Sequence, residues 1–465
     1  MGSPIFFNDS IVAIATAPGE GGIGVLRLSG PQAPKALTLL WQGKLSVEVM
    51  TSHRLYLGKI IHPQTKECLD EALVVRMRAP RSYTGEEVVE IHSHGGPLLL
   101  NQILNLLLES GLRLAEPGEF TRRAYLNGKL DLLQAEAVSE LIAAKSEAAL
   151  HNARSQLEGK LSSQIAPLRE ALLKLLSRVE AAIDFPEEDI EILQIAQTLA
   201  EIESIDKTLQ GWEEKFNLGR LAREGIKIAL IGRPNVGKSS LLNRLLDEDR
   251  AIVHESPGTT RDIVEGWAHW GGYSFQLFDT AGIREGEEEI EREGIRRSKK
   301  IAMQADIILC LIDASSELKK DDRSILETLD GRVLPVANKI DLGIKTRNFP
   351  KSWQLFPEIL RKEWVFVSAY SGEGIGELRE KILQELGLKA AERSEAFLNN
   401  ARHHQALLGA RRALKRAIEA LIKKLPSECV AADLREAAEV LGGLLGQISS
   451  EEILDRIFSD FCIGK

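Results

Sequence analysis

The run "GRPNVGKS", from Gly232 to Ser239, has the GxxxxGK[ST] spacing of a phosphate-binding loop, and it follows a short apolar run, "IKIALI", and precedes a helical one. That chemistry needs glycines at Gly232 and Gly237 so that backbone N–H groups can curl around phosphates, helped by the positive end of the next helix. Lys238 suits the β and γ phosphates, and the Ser239 hydroxyl suits Mg²⁺. "DTAG" ends a later strand pattern, setting Asp279 near the Mg²⁺ shell and Thr280, Ala281 and Gly282 near the γ-phosphate. "NKID" ends another and selects the base. The two carboxylate oxygens of Asp341 match the N1–H and 2-amino donors of guanine, whereas adenine presents no such pair and would leave the carboxylate desolvated. The nucleotide read from these residues is GTP. Asn338 braces the loop, Lys339 lies beside it, and Ser368 and Ala369 of "VSAYSG" offer a backbone N–H to the guanine oxygen. "PGTTRD" supplies Thr260 as a second Mg²⁺ hydroxyl. The expected nucleotide contacts are therefore Asn235, Val236, Gly237, Lys238, Ser239 and Ser240 in the loop, and His254, Glu255, Ser256, Pro257, Gly258, Thr259 and Thr260 in the first switch. Asp279 to Gly282, Asn338, Lys339, Asp341, Ser368 and Ala369 complete the set. Ile283 stands where Ras-like enzymes place a water-orienting Gln, so hydrolysis requires another polar group.

These residues need a sheet to hold them. "IKIALIG", "YSFQLFDTAG", "ADIILCLIDA", "RVLPVANKID" and "EWVFVSAYSG" read as strands alternating with polar or helical segments, the rhythm of a doubly wound α/β domain over residues 220–387. Residues 1–118 alternate short apolar runs with Gly and Pro breaks and read as a separate α/β domain. Residues 119–219 and 388–465 are rich in strong helix formers and read as two halves of one helical domain into which the α/β domain is inserted. Leu157, Leu161, Ile165, Leu168, Leu172, Leu175, Val179 and Ile183 form one helix stripe, which Pro167 is expected to kink or divide.

The 465 residues are 44% hydrophobic and 27% charged, with net charge −9 and no apolar run near the roughly 20 residues of a membrane span. Nothing in the opening residues resembles a secretory signal or fits a myristoylation site well. The four cysteines, Cys68, Cys310, Cys429 and Cys462, form no CxxC pair, which argues against zinc or a disulfide framework and for a reducing cytoplasm. Arg411, Arg412, Lys415 and Arg416 are a candidate basic face, set against the plainer reading of a solvated helix. His92 and His94 form an HxH pair without an evident third ligand, so no metal site is read there. Cys462 lies fourth from the end, but Lys465 does not suit a prenylation box. Ile453, Leu454, Ile457, Phe458 and Phe461 have helical spacing, so this segment is expected to dock, carrying Gly464 and Lys465 with it.

With Asn235 in the phosphate loop, "PGTTRD", Ile283 after the glycine and a final "CIGK", the chain resembles the MnmE (TrmE) family of tRNA modification GTPases. "GEGGIGVLRLSG", "SYTGEEVVEIHSHGG" and "PGEFTRRAYLNGKLDLLQAEA" extend the resemblance over essentially the whole chain. It implies a multidomain α/β plus α fold: an N-terminal aminomethyltransferase-like α/β domain, a helical bundle domain and an inserted Ras-like P-loop G domain. It further implies a cytoplasmic homodimer that binds a tetrahydrofolate derivative, 5-formyl- or 5,10-methylene-tetrahydrofolate, without membrane attachment. With the FAD-binding protein MnmG, in a heterotetramer, such an enzyme modifies carbon 5 of the wobble uridine (position 34) of certain tRNAs. By this resemblance Asn235 coordinates K⁺ together with His254, Ser256 and Thr259, and Glu291 orients the attacking water, with Asn235 and Lys238 assisting catalysis. Mg²⁺ falls to Ser239 and Thr260. Arg27, Glu90, Lys129 and Lys465 are carried over as folate-binding residues, with Cys462 near the one-carbon group, either as a nucleophile or as an inert neighbour. The alternative is a ribosome-assembly GTPase of the Era or EngA type, which shares "PNVGKSS".

Overall fold

The computed structural model describes residues 9–184, 194–247, 266–279, 303–316, 322, 325, 329, 331–343, 363–388, 397–447, 451–459 and 461–465. The chain forms two compact units: Met1–Ala143, Ala153–Gln210 and Gln405–Lys465 make one, Ala144–Asn152 and Gly211–His404 the other. The architecture is multidomain, α/β plus α.

In the first unit, β1 (Ile11–Ile14), β2 (Gly21–Ser29), β3 (Trp41–Gly43), β4 (Leu55–Ile61), β5 (Cys68–Met77), β6 (Val88–Gly95) and β7 (Arg113–Leu114) form one sheet in the order β3-β4-β5-β6-β2-β1-β7. Pairing is antiparallel except between β1 and β7. Strand alternation sends Leu26, Leu28, Val74, Val89 and Ile91 to one face, where α1 (Ala33–Leu40) and α2 (Pro97–Glu109) bury them. The intervening residues point the other way. They form two cross-strand rows, Leu55–Val75–Glu90–Arg27 and Leu57–Leu73–His92–Val25.

After β7 come α3 (Glu119–Leu126), α4 (Leu132–Ala143), α5 (Glu147–Leu157), α6 (Lys160–Asp184) and α7 (Ile195–Glu224). The stripe expected on one helix is shared by two, because α5 ends at Leu157 and α6 begins at Lys160. Pro167 does not divide α6, which runs unbroken to Asp184. The proline is solvent-exposed, so the ladder bond it removes lies on the face where water can replace it. Leu161, Ile165, Leu172, Leu175 and Val179 are buried.

Later in the chain, α8 (Lys238–Asp247) and α9 (Ile375–Glu385) belong to the second unit, and α10 (Ala401–Ile422), α11 (Ser427–Leu444) and α12 (Glu451–Ser459) follow. Two of the four residues of the candidate basic face on α10 are committed to carboxylates: Arg411 pairs with Asp206, and Arg416 with Asp433 and Glu436. Paired arginines leave little field for a polyanion.

The C-terminal segment is docked. Leu454, Phe458 and Phe461 of α12 and its tail join Leu132 and Ala135 of α4 in one apolar cluster, flanked by Tyr125 and Ile457. Ile453 departs from the expected set, at 45% exposed. Arg122 of α3 adds an ion pair to Asp455, 2.9 Å.

The second unit is a six-stranded sheet of β8 (Ile226–Ile231), β9 (Gly266–Trp270), β10 (Tyr273–Asp279), β11 (Ile307–Asp313), β12 (Val333–Asn338) and β13 (Val365–Phe366), ordered β13-β12-β11-β8-β10-β9. Only the β9–β10 pair is antiparallel. Central strands such as "IILCLI" are buried at every residue, as expected of parallel strands covered on both faces. The carboxyl ends of β8, β10, β11 and β12 deliver the phosphate loop, Asp279, Asp313 and Asn338 to one edge, where ligands of open α/β sheets bind.

Candidate functional site

At that edge, residues distant in sequence are tied by short polar bonds. Asn235 has φ +65° and Gly237 φ +96°. A Cβ on Gly237 would lie 2.3 Å from Asn338 Nδ2, so glycine is required by backbone and by space. Asn338 is 1% exposed and spans two loops: its Nδ2 donates to Val236 O at 2.9 Å, and its Oδ1 accepts from Ala369 N at 3.0 Å. Lys339 Nζ donates to Asn235 O at 2.6 Å and to Asp313 Oδ2 at 2.7 Å. Burial raises the Asp313 carboxyl, but Lys339 and Ser315 outweigh that and hold it below its ordinary value.

Lys238 Nζ donates to Gly232 O and Arg233 O, at 2.8 and 2.9 Å, inside the curl of the loop. Burial pushes its ammonium down, partly offset by Asp279. A phosphate brought into the curl would supply the negative charge that restores it. Ser239 Oγ donates to Asp279 Oδ2 at 2.7 Å, and this hydroxyl beside a carboxylate is a hard-oxygen pair of the kind Mg²⁺ takes. Ser240 is exposed on the first turn of α8. At the base end, Ser368 Oγ donates to Asp341 Oδ1 at 2.6 Å, which orients an exposed carboxylate whose remaining lone pairs can meet the guanine edge. The structure thus gathers Asn235, Val236, Gly237, Lys238, Ser239, Asp279, Asn338, Lys339, Asp341, Ser368 and Ala369. His254, Glu255, Ser256, Pro257, Gly258, Thr259, Thr260, Thr280, Ala281, Gly282, Ile283 and Glu291 lie outside the described residues. Sequence reasoning missed Asp313. An aspartate ending a buried strand, "IILCLID", was the available signal.

A second constellation lies on the first unit's sheet. Arg27 and Glu90 are direct cross-strand partners, with Arg27 Nε 2.8 Å from Glu90 Oε1. The Arg27 guanidinium carbon stands 5.6 Å from the Tyr83 ring centroid and 5.8 Å from that of Phe120, which restricts where it can turn. Its Nη1 donates to Gly464 O at 3.4 Å. The tail is therefore seated against the sheet, and Phe120 N–H donates to Lys465 O at 3.1 Å. Gly464 has φ +96°, and a Cβ there would lie 2.6 Å from Ile14 O. Burial lowers the Lys465 ammonium, with repulsion from Arg27 adding and Glu90 and Cys462 opposing. Cys462 is a free, exposed thiol. Lys129 stands apart: its Nζ donates to Pro80 O at 3.2 Å, beside the loop that carries Tyr83.

His92 Nε2 lies 3.1 Å from Glu90 Oε2, while His94 Nδ1 lies 2.7 Å from Asp70 Oδ1. The HxH pair is divided between two carboxylates, and no metal-holding group is found among the described residues. Tyr83, Phe120 and His92 were not anticipated at this site. For His92 the i, i+2 spacing from Glu90 on a strand would have indicated it.

A family model for the MnmE helical domain matches residues 132–462, and one for the GTP-binding protein TrmE N-terminus matches residues 10–129. The tRNA modification GTPase MnmE of Moorella thermoacetica is 46% identical over 466 residues, covering 98% of this chain and 100% of that one. The protein of the same name from Heliobacterium modesticaldum is 43% identical over 467 residues, with the same coverage of each. Among solved structures, the Era protein of Aquifex aeolicus bound to GDP and aluminium fluoride is 29% identical, covering 40% of this chain and 66% of that one, with a TM-score of 0.29.

Proposed function

Because this chain belongs to the MnmE family of tRNA modification GTPases, we propose that it hydrolyses GTP to drive a folate-dependent modification of carbon 5 of the wobble uridine (position 34), together with an FAD-dependent partner of the MnmG type. It binds GTP and acts on tRNA. The observation that carries the nucleotide half is the Asn338 amide joining the phosphate loop to the base loop while Ser368 orients Asp341. The family match outside the G domain, over both the N-terminal and the helical segments, favours tRNA modification over ribosome assembly.

Ser239, with Thr260, would hold Mg²⁺, which neutralises charge on the phosphates. Lys238 would bind the β and γ oxygens, and Asp341 the base. Asn235, His254, Ser256 and Thr259 would hold K⁺, whose charge beside the phosphates takes the part of an arginine finger, and Glu291 would orient water in place of the glutamine absent at Ile283. In the first unit, Glu90 would accept from the amino-pyrimidinone edge of the folate. Arg27, Lys129 and Lys465 would meet its carbonyl or anionic tail, with Cys462 close to the one-carbon group. The wider assignment places a folate-binding and dimerising domain at 1–118, helical halves at 119–219 and 388–465, and a G domain at 220–387. The protein would act in the cytoplasm as a homodimer that forms a heterotetramer with its partner; among the described residues no helix is long and apolar enough to cross a membrane.

Mass spectrometry of wobble nucleosides tests the main reading. A strain deleted for this gene should lose the carbon-5 substituent and regain it when the chain is restored; an unchanged nucleoside profile rejects the modification role. Hydrolysis should run faster in K⁺ than in Na⁺. Equal rates would remove the potassium assignment.

A further inference from the structure

The carboxylate of Glu90 is gripped from two sides: Oε1 accepts from Arg27 Nε on the neighbouring strand, and Oε2 faces His92 Nε2 two residues along its own strand. Burial pushes the Glu90 carboxyl up, but Arg27 and His92 outweigh it and the group titrates below its ordinary value. It is ionised at neutral pH. An ionised carboxylate only accepts hydrogen bonds, so His92 carries a proton on Nε2 whether the ring is neutral or charged.

We propose that His92 is a positioning residue for Glu90, fixing the carboxylate plane so that it can receive the paired N–H and NH₂ donors of an amino-pyrimidinone ring. This rests on the folate reading of the site. A carboxylate offers about four acceptor positions. Arg27 and His92 take one on each oxygen, which leaves one on each for the two donors of the ring edge. Arg27 is itself confined between Tyr83 and Phe120 and cannot follow a moving partner. Held by Arg27 alone, the carboxylate would pivot about a single contact, and ordering it would fall to the ligand. In its row His92 lies between Val25 and Leu73, neighbours that give no packing reason for a polar ring. His94 does not compete for Glu90, because Asp70 holds it. The remaining charged group of the pocket, Lys465, comes from the tail and donates nothing to Oε2 in this arrangement.

Calorimetric titration of the full chain with 5-formyl-tetrahydrofolate at neutral pH tests this, using the unaltered protein, His92→Leu, His92→Gln and Glu90→Ala, each checked for folding by circular dichroism. His92→Leu should weaken binding about tenfold or more, the scale of a lost hydrogen bond to a charged group. His92→Gln restores an N–H donor and should return to within about threefold of the unaltered protein. Equal affinity in the unaltered protein and His92→Leu overturns the proposal, as does an equal loss in both His92 variants. If the unaltered protein fails to bind, or Glu90→Ala binds as well as it does, the folate reading falls and takes the proposal with it.

Discussion

In the proposed reading, Asp341 selects the base through two acceptors on one side chain. Replacing it by Asn exchanges one acceptor for a donor, which clashes with guanine and matches the carbonyl that xanthine carries in place of the 2-amino group. Asp341→Asn should therefore weaken GTP by about a hundredfold and favour xanthosine triphosphate, read by competition with a fluorescent nucleotide. Unchanged discrimination would mean that the base is read elsewhere. At this scale the residues gathered at the sheet edge were legible because each belongs to a short contiguous motif with a characteristic backbone shape. Arg123 was not legible. Its partners Asp9 and Glu86 lie 114 and 37 residues away, and no local pattern announces that a fully buried arginine will meet them.

The docked tail is the element on which the proposed folate site depends. Its apolar spacing was readable in "ILDRIFSDF", and the structure assigns the faces: Leu454, Phe458 and Phe461 inward, Ile453 outward. What spacing alone could not supply was the seat, because Ile14 and Phe120 come from the opposite end of the chain. Gly464→Ala puts a methyl group 2.6 Å from Ile14 O at φ +96°. The strain of about 1–3 kcal/mol should lift the last residues from the sheet and reduce wobble-uridine modification about tenfold or more. Faster amide exchange at Phe120 would report the lost bond directly; normal modification with unchanged exchange would show that the turn tolerates alanine. The boundary between α5 and α6 was misjudged for a related reason. The periodic stripe continues across Glu158 and Gly159, but the backbone there does not.

Within the first compact unit, Arg123 anchors a charged cluster: its Nη2 lies 2.9 Å from Asp9 Oδ1 and 2.8 Å from Glu119 Oε1, its Nη1 3.2 Å from Glu86 Oε2, and Arg113 also pairs with Asp9 and Glu119. For Glu119, burial is outweighed by Arg113, the Glu116 backbone and Arg123, and for Asp9 by Arg113 and Arg123, so both carboxyls lie below their ordinary values of 4.5 and 3.8. A carboxyl depressed on folding contributes stability that is complete above its unfolded value and is lost as pH falls through the folded one. The unfolding midpoint in urea should hold near neutrality and drop as pH falls below 4.5. Arg123→Ala takes from buried Glu86 its cation, while Arg113 still holds Glu119, and should cost about 3–5 kcal/mol. A midpoint that ignores both changes would mark the cluster as energetically idle.

The amide of Asn338 occupies the space that a Cβ on Gly237 would need, 2.3 Å away. These two positions, 101 residues apart in sequence, are therefore not free to vary independently. Trimming Asn338 to alanine would make room for a methyl group on the phosphate loop, yet φ +96° at Gly237 would still penalise it. Substitution at Gly237 is closed off twice, by the Asn338 amide and by the backbone itself. Any lineage carrying this loop inherits a constraint in which the residue that ties the loop to Ala369 also dictates which residue can stand at position 237.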